Sequence, residues 1–158
     1  MKKRRFPLTV NPHDAPVMKK RRFPLTVNPL RLAKSRQELS GDFPVSQMPR
    51  LLGVLADDHA EIAAKMSFDS DEQGWVVITL FVHAKLPLIC QNDLSRFVLP
   101  VEIETRLTPV EVEAEATRVP AHYEPVLIED GLFVPKTIVE DELLLHLPDV
   151  PRRPEALG

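Results

Sequence analysis

The chain has 158 residues, of which 44% are hydrophobic, and it carries a formal net charge of −3 and a single cysteine. This length suits one ordinary domain, and no stretch approaches the roughly 18 uninterrupted apolar residues of a membrane span. The lone Cys90 excludes an internal disulfide, and the basic, proline-containing start lacks the apolar run of a secretion signal. We therefore expect a cytoplasmic protein.

The twelve residues MKKRRFPLTVNP occur at 1–12 and again at 18–29. One extra copy with no further period is not a solenoid repeat. The alternatives are a second binding arm and a tandem duplication at the start of the gene. Only the second copy continues into a helix-forming run, which favours duplication, with Met18 as the original first residue. The expected division is a duplicated tail at 1–17, one domain at 18–151 and a C-terminal tail at 152–158.

Two short helices are expected early in the chain. Asn28 and Pro29 are suited to be the N-cap and first residue of a helix that continues through 30–36. A second helix is expected at 47–56 with Ser46 as its cap, because its leucines and methionine recur at helical spacing.

The middle of the chain predicts a long β-hairpin at 71–107. Its first strand contains WVVITLFV, which is apolar on both faces and therefore central or covered on both sides, and its second strand alternates apolar and polar residues. The other expected elements are strands at 38–43, 60–70 and 124–129, a surface loop at 108–122 and a helix at 135–147. Together they predict an α+β fold in which two or three helices pack on an antiparallel sheet built around the long hairpin. The sheet is either open or barrel-like.

The charge is unevenly distributed along the chain. Residues 18–36 carry seven bases and no acid, whereas residues 102–142 carry eleven acids and three bases. Basic segments gain affinity for RNA by releasing counterions from phosphate; the alternative is a solvated tail. Phe23 can either stack on a base or pack onto the domain. The candidate RNA-binding residues are Lys19, Lys20, Arg21, Arg22, Arg31, Lys34 and Arg36.

Three consecutive acids, Glu140, Asp141 and Glu142, lie in the last predicted helix. Helical geometry puts Glu142 within the apolar stripe, with His146 one turn later. An acid in such a stripe either finds a partner or stays protonated. Glu142 is therefore a general acid or base, a partner contact, or a structural carboxylate bonded to backbone or to a basic group such as His146, and we favour the structural role. The candidates for a partner-binding or structural role are Glu140, Asp141 and Glu142.

Cys90 is a candidate metal ligand or nucleophile, but the residues around it in the sequence favour neither role. Asp93 follows at the spacing of a Cys-x-x-Cys metal turn, yet no second ligand cluster exists. A catalytic pairing with His83 would require the strand between them to bend back. We therefore expect no metal, no cofactor and no catalytic residue.

Three stretches together resemble one family: RFPLTVNPLRLAKS, LPLICQNDLSRFVLPVE and YEPVLIEDGLFVPKTIVEDELLLHLPDVP. They are similar to the YceD family, the large ribosomal RNA subunit accumulation proteins. Members of that family have one such start, which again favours Met18 as the original first residue. They also commonly have a Cys-x-x-Cys pair at the hairpin turn, where this chain keeps Cys90 but has Asp93 in place of the second cysteine.

The resemblance implies a non-enzymatic factor that supports large-subunit ribosomal RNA accumulation and ribosome assembly. The partners it implies are large-subunit ribosomal RNA precursors, ribosomal proteins or assembly factors, with no membrane and no small-molecule substrate. The alternative is a protein-binding module that uses the acidic C-terminal half without touching RNA.

Overall fold

The computed structural model describes residues 23–153 of the chain. The strands are β1 (Glu38–Asp42), β2 (Glu61–Ser70), β3 (Val76–Ile89), β4 (Arg96–Val110) and β5 (Glu124–Leu127). The α-helices are α1 (Pro29–Lys34), α2 (Pro49–Leu52), α3 (Glu113–Ala116) and α4 (Pro135–His146). The predicted tail at 1–17 and most of that at 152–158 fall outside the described residues, so the division of the chain stays a prediction.

All five strands form one sheet in the order of the chain, β1-β2-β3-β4-β5. The first four are antiparallel neighbours, whereas β5 pairs in parallel with the end of β4. The segment 111–123, which contains α3, provides the crossover that a parallel pair requires. The α+β class is thus confirmed, but the sheet is mixed rather than antiparallel throughout, and it is open rather than closed into a barrel.

The predicted hairpin is the longest feature of the sheet. β3 is its central strand, as the apolar run predicted, and it pairs with β4 in continuous register from Ile78 opposite Leu107 to Ile89 opposite Arg96. His83 lies within this paired run, so the strand does not bend back there. The hairpin turn bonds Leu94 N–H to the carbonyl of Cys90.

The core lies on one face of the sheet. Side chains of a strand alternate between its faces, and in β2 every second residue is buried. The buried strand residues pack with residues of the helices α1, α2 and α4. The largest completely buried members include Met66, Leu80, Leu51 and Leu143. The opposite face, here called the open face, presents exposed polar residues such as His83, Lys85 and Glu102, but β3 also places the buried Val77 and the half-buried Phe81 there, in keeping with its two-sided apolar run. No helix within residues 23–153 is long and apolar enough to cross a membrane.

Helix α1 forms as predicted. The Asn28 side chain accepts a hydrogen bond from the Arg31 N–H at 3.1 Å, and Pro29 occupies the first turn. This satisfies one of the amide groups that a helix start leaves without a partner.

The predicted helix at 47–56 is wrong in extent and in its cap. The chain forms a short 3₁₀ helix at Val45–Gln47 and then α2, and neither has a side-chain cap. Pro49 starts a new helix because it has no N–H to bond back to the preceding turn. The predicted loop at 108–122 is also partly wrong, since β4 continues to Val110 and α3 follows.

Candidate functional site

Three members of the predicted RNA-binding set, Arg31, Lys34 and Arg36, are described by the structure and lie in α1 or directly after it. All three are exposed. Arg31 and Lys34 are three residues apart and therefore share a helix face. Arg36 lies 3.5 Å from Asp69, but both side chains are largely exposed, so this ion pair contributes little. The other candidates, Lys19, Lys20, Arg21 and Arg22, lie outside the described residues.

Phe23 packs onto the domain rather than projecting from it. Its ring stacks on that of Phe43 with 4.7 Å between centroids. Val27 then exchanges two backbone hydrogen bonds with Phe133, of 2.9 and 2.8 Å. These contacts hold the segment before α1 against the rest of the domain. Because the Phe23 ring is stacked on Phe43, it is not presented to a nucleic-acid base.

Two of the three acids in α4 bind a single arginine. The Arg50 guanidinium lies 3.1 Å from the Glu140 carboxylate and 2.7 Å from that of Asp141. Glu140 is almost completely buried, and its second oxygen accepts the Leu51 N–H at 3.0 Å. This arrangement ties α4 to α2. The bonds to both carboxylates raise the pKa of Arg50.

Glu142 is as deeply buried as Glu140, but its charged neighbour is another carboxylate instead of an arginine. Burial, and next the nearby carboxylate of Glu124 on β5, raise its pKa from 4.5 to about 7. The His146 ring lies 2.9 Å from the backbone carbonyl of Glu142, and the charge of this histidine acts against those two causes by lowering the pKa of Glu142. With a pKa of about 7, the Glu142 carboxyl group is partly protonated at neutral pH.

The three acids therefore do not form one cluster. Glu140 and Asp141 face Arg50, whereas Glu142 faces the sheet. Sequence reasoning identified Glu142 as unusual from its place in the apolar stripe. It also named Glu140 and Asp141 but missed Arg50 and Glu124, because these contacts join residues that are far apart in the chain.

Cys90 and Asp93 both have internal roles at the hairpin turn. The buried Cys90 sulfur accepts the Arg153 N–H at 3.4 Å, and this bond lowers the pKa of the thiol. Asp93 accepts bonds from the Ser95 N–H and hydroxyl, of 3.0 and 2.6 Å. His83 is on β3 beside Glu102, seven residues from Cys90 along an extended strand. At about 3.3 Å per residue, the strand separates the two side chains too widely for catalysis.

One further group of possible ligands was not found from the sequence. Asp57, Asp58 and His59 have side-chain atoms within 4.8 Å of one another at the surface. Arg96 donates a hydrogen bond to Asp57 at 2.6 Å and holds its pKa at about 2. Because the guanidinium already neutralises Asp57, this group is better explained as an ion-pair network than as a metal centre.

The open sheet, with helices on one face and a basic first helix, defines a small α+β domain built on a single sheet. The chain is 32% identical over 152 residues to the large ribosomal RNA subunit accumulation protein YceD of Haemophilus influenzae, a match that covers 96% of this chain and 78% of that protein. No family model and no solved structure matches. The chain belongs to the YceD family of large ribosomal RNA subunit accumulation proteins.

Proposed function

We propose that this chain supports the accumulation of large-subunit ribosomal RNA, as a non-enzymatic factor in large ribosomal subunit assembly in the cytoplasm. The observation that carries the proposal is its 32% identity, over 96% of its length, to a protein named for that role. Its partners are then large-subunit ribosomal RNA precursors, ribosomal proteins or assembly factors, and it needs neither a metal nor a cofactor.

The RNA contact is assigned to the basic segment 18–36. It carries seven bases and no acid, whereas the domain that follows is acidic and repels phosphate. Arg31 and Lys34 support the assignment because they extend the basic segment onto an exposed helix face. Phe23 is stacked on Phe43, so the contact depends on charge rather than on base stacking. We therefore expect weak binding with little sequence preference.

The test measures RNA affinity against salt for the chain that begins at Met18. This start removes Lys2, Lys3, Arg4 and Arg5, which would otherwise substitute for the second copy. Each phosphate neutralised on a single strand contributes about −0.7 to the slope of log K against log salt. Replacing the four bases of 19–22 with alanine should flatten the slope by roughly two to three units. R31A/K34A should flatten it by about one unit.

A matched control removes two exposed bases elsewhere. Lys85 and Arg106 lie on the open face of the sheet, and K85A/R106A changes the net charge as much as R31A/K34A does. The control should leave the slope nearly unchanged. If the chain with all four bases replaced binds ribosomal RNA precursors as well as before, the basic segment is not the contact, and the alternative of an acidic protein-binding module is favoured.

A further inference from the structure

A groove of about 690 Å³ opens where β4 and β5 end. It is lined by Glu111 and Val112, which follow β4, and by the turn at 128–131, which follows β5. The Ile128 N–H bonds to the Val110 carbonyl at 2.8 Å and holds the two walls together. The groove is therefore built from two segments that the parallel strand pair brings side by side.

The lining combines apolar and acidic side chains. Ile128 is buried at the base of the groove, and Val112 is 54% exposed at its wall. Glu111, Glu129 and Asp130 are exposed around them, and no ion pair within residues 23–153 involves any of the three. A small apolar contact beside uncompensated charge of one sign fits a partner of the opposite charge that also offers an apolar side chain.

The acids of this groove differ from the acids that the sequence singled out. Glu140 and Asp141 are bonded to Arg50 and hold two helices together. The segment 107–135, by contrast, contains six acids and one basic residue, Arg118, besides one histidine. Three of these six acids, Glu111, Glu129 and Asp130, line the groove.

The groove also adjoins an open edge of the sheet. β5 is the last strand in the sheet, and its outer edge pairs with no other strand of the described chain. An edge strand offers unpaired backbone groups to an extended segment. Charge, apolar contact and backbone geometry thus indicate the same kind of occupant.

We propose that the groove formed by Glu111, Val112 and 128–131 binds an extended, Lys/Arg-rich segment of another protein that also carries apolar side chains. The proposal goes beyond the RNA contact and does not depend on it. RNA is excluded as the occupant by the three acids, which repel phosphate.

The probe is a short synthetic peptide of alternating lysine and valine, titrated into the full chain. Amide shifts in NMR spectra should change at Val112, Ile128 and Gly131. The triple variant E111Q/E129Q/D130N should weaken binding about tenfold, as the loss of three exposed charge pairs implies. Asparagine suits position 130, where the backbone is left-handed with φ 53°, so this variant should fold. A peptide of alternating lysine and serine should bind several-fold more weakly.

The matched control is E61Q/E102Q/E104Q, which removes three exposed acids from the open sheet face and should retain full affinity. Equal binding by the triple groove variant, or shift changes confined to the sheet face, would overturn the proposal. Equal affinity for the serine peptide would also overturn it, because charge alone would then suffice. If removal of residues 1–17 strengthens peptide binding, the chain's own basic start competes for the groove and the assignment to another protein is wrong.

Discussion

Glu140 and Glu142 are two buried glutamates on one helix, and neutralising them should have opposite effects on stability. Glu140 accepts hydrogen bonds from Arg50 and from the Leu51 N–H, whereas the chief neighbour of Glu142 is another carboxylate, Glu124. The perturbation is therefore the same for both residues, glutamate to glutamine, and only the environment differs.

For Glu142, the folded-state pKa of about 7 lies above the ordinary value of 4.5. Between these two pH values the folded chain binds more protons than the unfolded chain, so stability falls as pH rises. The penalty is absent below the unfolded pKa and complete above about pH 7. One pKa unit corresponds to about 1.4 kcal/mol, so the difference between 4.5 and about 7 gives an upper limit of about 3.5 kcal/mol. Since Glu124 is exposed and partly screened, we expect E142Q to add about 1–2 kcal/mol at pH 8.

For Glu140, glutamine loses the charge that Arg50 and the Leu51 amide stabilise. Leaving a buried, charge-assisted contact incomplete costs about 1–3 kcal/mol. E140Q should therefore destabilise the domain at pH 8, where E142Q stabilises it. The pair is a matched control, because both substitutions remove one negative charge from α4 and leave the side-chain shape almost unchanged.

The assay is urea unfolding at pH 8 and pH 5, with the free energy taken from linear extrapolation. The gain from E142Q should shrink at pH 5. E124Q should give part of the same gain at pH 8, because it removes the neighbouring charge but leaves the burial of Glu142 intact. A gain from E142Q that is equal at both pH values, or a loss at pH 8, would refute this reasoning.

Three further predictions concern the duplicated start, the N-cap of α1 and the hydrogen bond between Tyr123 and Asp71. Truncation to Met18 should leave the melting temperature unchanged; a drop of several degrees would mean that the first copy contributes to the fold. N28A should cost about 1 kcal/mol, because it removes the N-cap of α1, whereas N11A, at the same place in the first copy, should cost nothing by thermal unfolding. Tyr123→Phe should cost about 1 kcal/mol in urea unfolding, because the hydroxyl donates to Asp71 at 2.7 Å; no loss would show that solvent replaces this bond.

Local chemistry explains which parts of the fold the sequence predicts. The cap at Asn28 involves residues within one helical turn, and the hairpin joins strands that are neighbours in the chain. Both could be inferred from adjacent residues alone. The parallel pairing of β5 depends on where the 111–123 crossover returns the chain, and a strand's own residues do not specify its partner. For the same reason the groove at the end of β5 had no signal in the sequence beyond its acidic composition.

The acids of the C-terminal half show why composition alone could not locate a binding surface. A run such as Glu140-Asp141-Glu142 is conspicuous in sequence, but Arg50 lies about ninety residues earlier and forms ion pairs with two of its members. Glu129 and Asp130 are less conspicuous, yet no basic partner within residues 23–153 compensates them. A charged group costs free energy when buried, so it is retained there only with a partner or a shifted pKa. Exposed acids without a basic partner in the described residues stay available to an approaching basic group, and in our proposal this availability, rather than the number of acids in a run, selects the partner.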